Sequence, residues 1–353
     1  MTRVESLRAL MDERGVEAML IQKSENRRYL TGFTGSAGFV LITAREALLL
    51  VDFRYVEQAG AEASGVEVLK ADRQFLDTLA ELVPARGLQR LGFESDGLTY
   101  KQYDDFSKRL APATFVPIDG VDRLRWVKDR DEIERITRAV EIADRAFAHI
   151  RTLLRPGMVE REIALEMEFF MRRNGAEKEA FETIVAGGPR SALPHGRASD
   201  RVLAEGDLVT LDFGAVVRGY VSDCTRTVVL TEASRKHEEI YGIVLRAQQA
   251  ALAGIKPGMT GKEADALART VITEAGYGEA FGHSLGHGVG LAVHEGPTLS
   301  PREEAVLAQG MVVTVEPGIY LPGWGGVRIE DLVVITAEGC RSLTRAPKEL
   351  LVL

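Results

Sequence analysis

Three of the six histidines in this chain of 353 residues lie within the stretch HSLGHGVGLAVHE (283–295). The imidazoles of His283, His287 and His294 could bind a metal ion or transfer protons, which are common functional uses of histidine. Three glycines interleave with them and disfavour a helix, because each would cost about 1 kcal/mol there. The stretch therefore predicts an extended strand, with His283 and His287 on one face and His294 on the other unless a bulge re-aims them. A coincidental cluster of partly buried histidines is the alternative.

Four acidic residues lie in or beside apolar, β-branched runs that read as strands. Asp212 follows LVTL and Asp223 comes eleven residues later, whereas Glu316 follows MVVTV and Glu330 comes fourteen residues later. An acid in such a run is costly to bury unless it is paired or binds a cation. Four such acids facing each other in pairs would repel one another strongly. Two divalent ions between them would supply the missing positive charge.

One imidazole from the glycine-rich strand would complete this set of ligands. Four carboxylates and one histidine, with bridging carboxylates, describe a two-metal hydrolytic site with the ions about 3.5–4 Å apart. Hard oxygen ligands with one nitrogen favour Mn²⁺, Co²⁺, Fe²⁺ or Zn²⁺ over Cu⁺ or an iron–sulfur cluster. An ordinary ion pair remains the alternative for any one of these acids taken alone.

The elements that must position these acids look duplicated. Residues 155–176 (RPGMVEREIALEMEFFMRRNGA) resemble residues 256–276 (KPGMTGKEADALARTVITEAG), and residues 205–215 (EGDLVTLDFGA) resemble residues 309–319 (QGMVVTVEPGI). The offsets are 101 and 104 residues, and the two matches occur in the same order. The pattern predicts two αβ halves that face each other across a pseudo-twofold axis, each supplying two of the acids. Chance similarity between αβ units is the alternative.

The chain is long enough for two domains. Helix and strand patterns alternate up to about residue 118, which predicts a small α/β domain over residues 1–120. Residues 117–127 read as a linker, and a long amphipathic helix follows in which Asp129 or Asp131 can be the N-cap. The duplicated α+β region occupies residues 128–353.

Composition narrows the class of protein. A net charge of −8 disfavours a nucleic-acid partner. No apolar run approaches the roughly 20 residues that span a bilayer, and the charged N-terminus is unlike a signal peptide. Two cysteines, Cys224 and Cys340, cannot form a disulfide framework, and Cys224 reads as a small buried residue. We therefore expect a cytoplasmic protein with neither a membrane nor a nucleic-acid partner.

Six stretches together resemble the pita-bread metallopeptidases, which include methionine aminopeptidase, aminopeptidase P and prolidase. The resemblance covers the whole chain, because the first 120 residues look like the creatinase-like α/β domain that aminopeptidase P, prolidase and creatinase carry and methionine aminopeptidase lacks. In family order, the matching stretches are SALPHG (191–196), LDFGA (211–215), SDCTRT (222–227), HSLGHGVGLAVHE (283–295), VEPGIY (315–320) and GVRIED (326–331).

The resemblance implies a metal site at five positions of this chain. Asp212 would hold one metal ion, and His287 and Glu316 would hold the other. Asp223 and Glu330 would bridge the two ions. The implied cofactor is a pair of divalent ions, with Mn²⁺ or Co²⁺ favoured and Zn²⁺ or Fe²⁺ as alternatives.

The resemblance also implies residues that act on the substrate. His294 and His195 would bind the peptide and stabilise the transition state, and Glu316 would pass a proton from the attacking water to the leaving nitrogen. Arg328 would support the bridging acid Glu330. His283 would lie outside the ligand set. The implied substrate-binding residues are His195, His294, Tyr320 and Arg328.

The expected function is hydrolysis of the Xaa-Pro bond at the N-terminus of a peptide, as in aminopeptidase P. A prolidase that cleaves only Xaa-Pro dipeptides is one alternative, and a non-catalytic binding module on the same fold is another. The choice between the two peptidases depends on whether a basic group or a loop closes the C-terminal side of the site. The resemblance further implies a homodimer and a peptide substrate with proline in the second position.

Overall fold

The computed structural model describes residues 2–71 and 74–353, which fall into two units. The first unit ends at Arg125 and the second runs from Trp126 to Leu353, so the division falls within the predicted linker 117–127. Each unit buries apolar clusters of its own. No helix among the described residues is both long and apolar enough to cross a membrane.

The first unit is a six-stranded mixed sheet with helices on both faces. The strand order is β4-β3-β2-β1-β5-β6, in which β1, β5 and β6 are parallel and β2 runs antiparallel to both β1 and β3. The strands are β1 (Ala18–Ile21), β2 (Phe39–Thr43), β3 (Ala47–Val51), β4 (Glu67–Lys70), β5 (Arg90–Glu94) and β6 (Thr114–Ile118). The helices are α1 (Arg3–Arg14), α2 (Ser24–Thr31), α3 (Val56–Glu62), α4 (Phe75–Ala85) and α5 (Tyr100–Arg109).

Alternation along the strands explains why helices cover both faces of this sheet. In β1, Met19 and Ile21 belong to one apolar cluster, whereas Ala18 and Leu20 belong to the other. Residues of α1, α2 and α3 join the first cluster, and residues of α4 and α5 join the second. Because successive side chains point to opposite faces, a continuously apolar strand needs a cover on each side. The α/β domain expected from the sequence is therefore the one observed.

The second unit contains four long helices and thirteen short strands among the residues that the structure describes. A capping box at Asp129 and Glu132 begins the first of these helices, so Asp129 is the N-cap and Asp131 is not. The helices are α6 (Arg130–Ile150), α7 (Glu160–Arg173), α8 (Arg235–Gly254) and α9 (Gly261–Glu274). The strands are β7 (Lys178–Glu179), β8 (Ile184–Gly187), β9 (Leu208–Phe213), β10 (Ala215–Val217), β11 (Tyr220–Val221), β12 (Cys224–Val229), β13 (Gly286–Gly288), β14 (Glu295–Leu299), β15 (Val312–Val315), β16 (Gly318–Leu321), β17 (Gly325–Arg328), β18 (Asp331–Ile335) and β19 (Cys340–Ser342).

Two halves of this unit repeat the same arrangement, as the sequence offsets predict. In the first half β9 lies between β8 and β12, and in the second half β15 lies between β13 and β18, with every pair antiparallel. Helices α7 and α9 begin and end 101 residues apart. The turn before each helix is held in the same way, because the amide of Gly157 donates to Leu203 and the amide of Gly258 donates to Leu307. Chance similarity does not reproduce matched hydrogen bonds, so the duplication is structural.

The histidine-rich stretch is not the single extended strand that the sequence predicted, because the chain reverses within it. β13 pairs antiparallel with β14, with Gly288 opposite Glu295, and this pairing is irregular between His287 and Gly288. As a result, the rings of His287 and His294 lie together, with their centroids 4.4 Å apart. The prediction of alternate faces along one strand is therefore wrong. His287 and His294 lie on the two arms of this chain reversal, beside the register shift that the sequence analysis allowed for as a bulge.

Candidate active site

A cavity of about 440 Å³ lies in the second unit, between the two halves of the duplication. This volume is within the roughly 300–1,000 Å³ range of small-molecule sites. One wall is apolar and is formed by residues including Ile184, Pro194 and Val293. The base is polar and contains all five of the predicted metal ligands: Asp212, Asp223, His287, Glu316 and Glu330.

Equivalent strand positions bring the four acids together. Asp212 is in β9 and pairs with Thr225 in β12, so Asp223 just before β12 is close to it. In the second half Val315 pairs with Asp331, which places Glu316 and Glu330 beside each other at the ends of β15 and β18. The Glu330 amide donates to the carbonyl of Thr225 over 3.1 Å and joins the two halves at this level. The duplication therefore explains why four acids meet in one cavity.

His287 reaches the acids from β13. Its Nε2 lies 3.3 Å from Glu316 Oε1 and 3.7 Å from Asp223 Oδ2. Its Nδ1 is 3.1 Å from the carbonyl oxygen of Gly288, which can only accept a hydrogen bond, so Nδ1 carries the proton. Burial acts to lower the pKa of His287, but the hydrogen bond and charge of Glu316 outweigh it and raise that pKa, so Nε2 also carries a proton and donates to Glu316. A metal ion would replace the Nε2 proton and take the lone pair. This orientation is the one that a metal-binding histidine requires.

The pKa values reflect the crowding of negative charge. Burial, together with Glu330 and Asp212, raises the pKa of Asp223 well above its ordinary value. Burial and the neighbouring Glu316 and Asp212 raise the pKa of Glu330 in the same way. Burial also acts to raise the pKa of Glu316, but its hydrogen bond with His287 overcomes this and holds that pKa at about 2. Protein groups alone therefore leave part of this negative charge uncompensated.

The arrangement of donor atoms fits divalent metal ions. Ligand atoms of Asp223, His287 and Glu330 all lie within 4.8 Å of one another. Asp212 Oδ1 is buried and has no hydrogen-bond partner among residues 2–71 and 74–353. A buried carboxylate oxygen without a partner is costly, and a cation is the partner that would remove that cost. The donors are oxygen and imidazole nitrogen, the set that Mn²⁺, Co²⁺, Fe²⁺ and Zn²⁺ accept.

Arg328 supports two of the acids through hydrogen bonds. Its Nη2 donates to Asp212 Oδ2 over 2.7 Å, and its Nε donates to Thr225 Oγ1 over 3.0 Å. The Thr225 hydroxyl in turn donates to Glu330 Oε2 over 2.6 Å. Arg328 thus supports Glu330 through Thr225 and contacts Asp212 directly.

The structure places the remaining predicted residues at different depths. His195 and His294 line the cavity, and within the described residues neither ring has a hydrogen-bond partner. Burial and the neighbouring His287 lower the pKa of His294, so its ring is neutral at neutral pH. His283 also lines the cavity, and its Nε2 accepts from the Tyr320 hydroxyl, 2.9 Å away.

Tyr320 differs from its predicted position. It is not among the described residues that line the cavity, and its hydroxyl lies behind the wall, between His283 Nε2 and Arg328 Nη1. In the β16–β17 hairpin Gly318 pairs with Arg328, so Tyr320 shares a face with Arg328 and its hydroxyl accepts a hydrogen bond from that guanidinium over 2.8 Å. Tyr320 is therefore in position to orient Arg328 and His283.

Two threonines support the acids, and sequence reasoning missed both. Thr225 links Arg328 to Glu330 through its hydroxyl. Thr314 accepts a hydrogen bond from the His287 amide and donates one to Glu316 Oε1, each over 3.0 Å. Thr314 stands two residues before Glu316, as Thr210 stands two residues before Asp212. The duplication could have revealed this repeated threonine.

Buried ionic groups fix the loops that carry the histidines. Glu160 at the start of α7 accepts hydrogen bonds from the amide of Gly187 and from the amide and hydroxyl of Ser199, on both sides of His195. In the other half, Asp265 in α9 accepts from the Leu285 amide over 3.0 Å, close to the start of β13. Each half therefore anchors its histidine loop to its own helix.

A second ion pair holds the His294 loop. Lys128 Nζ lies 3.3 Å from Glu295 Oε2, and both side chains are almost completely buried. Glu295 directly follows His294 and also accepts from the Ala292 amide over 3.1 Å. The loop that brings His294 beside His287 is thus fixed at its end.

Comparison with known proteins decides the family. A family model described as metallopeptidase family M24 matches residues 134–337, and one described as the creatinase/prolidase N-terminal domain matches residues 3–127. The chain belongs to metallopeptidase family M24. As an M24 protein it is a metal-dependent hydrolase, with a creatinase-type α/β domain followed by a pita-bread catalytic domain.

Relatives of this M24 protein match it along nearly its whole length. An Xaa-Pro dipeptidase of Pyrococcus horikoshii is 45% identical over 352 residues, which cover 99% of this chain and 98% of the relative. A solved structure of an Xaa-Pro dipeptidase from Bacillus anthracis is 51% identical, has a TM-score of 0.98 and covers 99% of each chain. The structure of an X-Pro aminopeptidase from Thermotoga maritima is 44% identical, has a TM-score of 0.89 and covers 97% of this chain and 99% of that one.

Proposed function

We propose that this protein is an Xaa-Pro dipeptidase that uses divalent metal ions. The observation that carries the proposal is the identity of 45–51%, over 99% of the chain, to proteins named Xaa-Pro dipeptidases. This preference reverses the expectation from sequence alone, which favoured the aminopeptidase. The X-Pro aminopeptidase of Thermotoga maritima, with 44% identity, supports the second candidate, removal of the first residue from longer peptides.

The five acidic and imidazole side chains at the base of the cavity would hold two metal ions. In this proposal Asp212 would hold one ion, His287 and Glu316 would hold the other, and Asp223 and Glu330 would be shared by the two ions. Bound there, the ions would lower the pKa of a water molecule and polarise the scissile carbonyl. The hydrogen bonds from Arg328 to Asp212 and from Thr225 to Glu330 support this assignment, because each leaves other oxygens of these carboxylates for an ion.

The protein's own groups would handle the proton and the developing charge. Glu316 would accept a proton from the attacking water on its carboxylate and return it to the leaving nitrogen. His294 and His195 line the cavity with free ring nitrogens and can donate to the oxygen that becomes negative. One such donor is typically worth about 3 kcal/mol in the transition state.

The apolar wall would bind the proline ring. Phe181, Ile184, Pro194 and Val293 line the same cavity as the acids. The nitrogen of a proline residue in a peptide carries no hydrogen. Placing the proline ring against an apolar surface therefore leaves no N–H group without a hydrogen-bond partner. This wall beside a polar base is consistent with selection for proline after the scissile bond.

Hydrolysis of matched peptides tests the function. With Mn²⁺, Co²⁺ and Zn²⁺ supplied in separate assays, we expect turnover of Ala-Pro, slower turnover of Ala-Pro-Ala and none of Ala-Ala. Faster cleavage of Ala-Pro-Ala than of Ala-Pro would favour the aminopeptidase. Absence of turnover with every metal, in protein that binds metal, would instead support a non-catalytic binding module.

A further inference from the structure

An exposed ion pair lies on the wall of the cavity, away from the five acidic and imidazole ligands. Arg197 Nε is 3.0 Å from Glu182 Oε2, and the two side chains are 77% and 58% exposed. Both residues line the cavity. Such a pair contributes little to stability, because solvent screens it. Its two charges are therefore available to a molecule that enters the cavity.

The backbone that carries Arg197 is fixed, although its side chain is exposed. Arg197 forms a bridge with Ile184, and its carbonyl accepts from Arg190 Nη2 over 2.7 Å. Arg190 is itself paired with the buried Glu160. His195 lies just before it in a turn that the Gly196 amide closes by donating to the Leu193 carbonyl over 3.0 Å, and both His195 and Arg197 line the cavity. The backbone on which Arg197 stands beside His195 is thus held by hydrogen bonds.

The Arg197 guanidinium differs from the other guanidinium group that lines the cavity in the partners it has. The described residues that line the cavity include two guanidinium groups, those of Arg197 and Arg328. Arg328 is buried and already donates to Asp212, Thr225 and Tyr320. Among the residues that the structure describes, the Arg197 guanidinium is paired with the exposed Glu182. Of these two lining guanidinium groups, Arg197 is the one whose partner is exposed to solvent, so a substrate carboxylate can replace Glu182 beside it.

We propose that Arg197 binds the C-terminal carboxylate of a dipeptide substrate, and that Glu182 competes for the same guanidinium. The proposal rests on the proposed dipeptidase function and names the group that selects short substrates. In an Xaa-Pro dipeptide the carboxylate lies roughly 4 Å from the scissile carbon, by standard bond lengths. Arg197 follows His195 by two residues, and its long side chain lines the same cavity. A further residue moves the carboxylate away by roughly 3.5 Å and weakens this contact.

The test compares an acid with its amide. We would measure kcat and KM for Ala-Pro and for Ala-Pro amide with the wild type, Arg197→Ala and Glu182→Gln. A charge-assisted hydrogen bond lost from Arg197→Ala should lower the ratio of kcat/KM for the acid to that for the amide by about tenfold or more, mainly through KM. Glu182→Gln removes the competing carboxylate, so it should raise the same ratio.

A matched variant controls for the loss of an exposed arginine. Arg161→Ala removes a guanidinium that is 56% exposed and paired with Asp200, away from the cavity lining. It should leave the acid-to-amide ratio unchanged. If Arg197→Ala changed acid and amide equally while the wild type cleaved both, the carboxylate proposal would be wrong and the peptidase function would stand. If the wild type cleaved neither substrate, both proposals would fall.

Discussion

At the scale of residues, the five ligands could be predicted from the sequence, whereas the residues that support them could not. The acids can be recognised in the sequence because a carboxylate inside an apolar strand is rarely buried unless it is paired. Thr225 and Thr314 do not stand out, because threonine is an ordinary strand residue and its hydroxyl partners are set by tertiary structure. Tyr320 was expected in the cavity, but its hydroxyl is bonded to Arg328 and His283, which lie between it and the cavity, and sequence does not fix such side-chain contacts.

Substitution of each of the three histidines should affect metal content and activity differently. His287→Ala removes a ring whose Nε2 faces Glu316 and Asp223, so metal content and activity should fall together. His294→Ala should keep the metal and lose activity by roughly a hundredfold or more in kcat. His283→Ala should cost less activity than either. Metal analysis beside steady-state kinetics measures this, and an empty site in His294→Ala with a full one in His287→Ala would refute the assignment.

Thr225→Val tests the support of the bridging carboxylate. The change removes the hydroxyl that donates to Glu330 Oε2 and accepts from Arg328 Nε. Loss of such a supporting contact typically costs 10–100-fold in metal affinity, and we expect about that in a Mn²⁺ titration. Thr227→Val, in the same strand, deletes a buried hydroxyl that contacts backbone atoms of Arg328 and is the matched control. Equal losses in both variants would count against a specific role for Thr225.

At the scale of elements, the duplication predicted which segments would meet, and the irregular strand β13 limited that prediction. Offsets of 101 and 104 residues predicted the matched helices and central strands correctly. The bulge after His287 could not be predicted, because it depends on how closely β13 approaches its neighbours. A Cβ on Gly286 would lie 2.0 Å from the carbonyl oxygen of Thr314, and one on Gly288 would lie 2.2 Å from that of Gly296.

Gly286→Ala should therefore displace β13 from β15. The added methyl group has no room beside Thr314, whose hydroxyl contacts both His287 and Glu316. We expect a loss of roughly 1–3 kcal/mol in the free energy of unfolding, the usual range for overpacking, together with weaker metal binding. Gly282→Ala is the control, because nothing lies within 4 Å of its Cβ position. Denaturant unfolding of the two variants would show no difference if close packing were unimportant.

At the scale of the whole molecule, the two units have separate apolar cores, and we expect them to have separate roles. All five proposed ligands lie in the unit Trp126–Leu353, whose apolar clusters contain no residue of the first unit. A chain that begins at Trp126 should therefore keep its metal content. We expect it to lose the predicted homodimer and its substrate preference, which light scattering and peptide assays would detect. A truncated chain with unchanged oligomeric state and specificity would contradict that role of the first unit.

Metal stoichiometry tests the central claim most directly. The crowded acids, the orientation of His287 and the unpartnered oxygen of Asp212 all point to a site for two divalent ions. After equilibrium dialysis against Mn²⁺ we expect about two ions per chain in the wild type, and fewer in Asp223→Asn, which weakens a bridging carboxylate. Chelation should abolish peptide hydrolysis, and added Mn²⁺ should restore it. Full hydrolysis by metal-free protein, or two ions bound equally by the wild type and Asp223→Asn, would contradict the account.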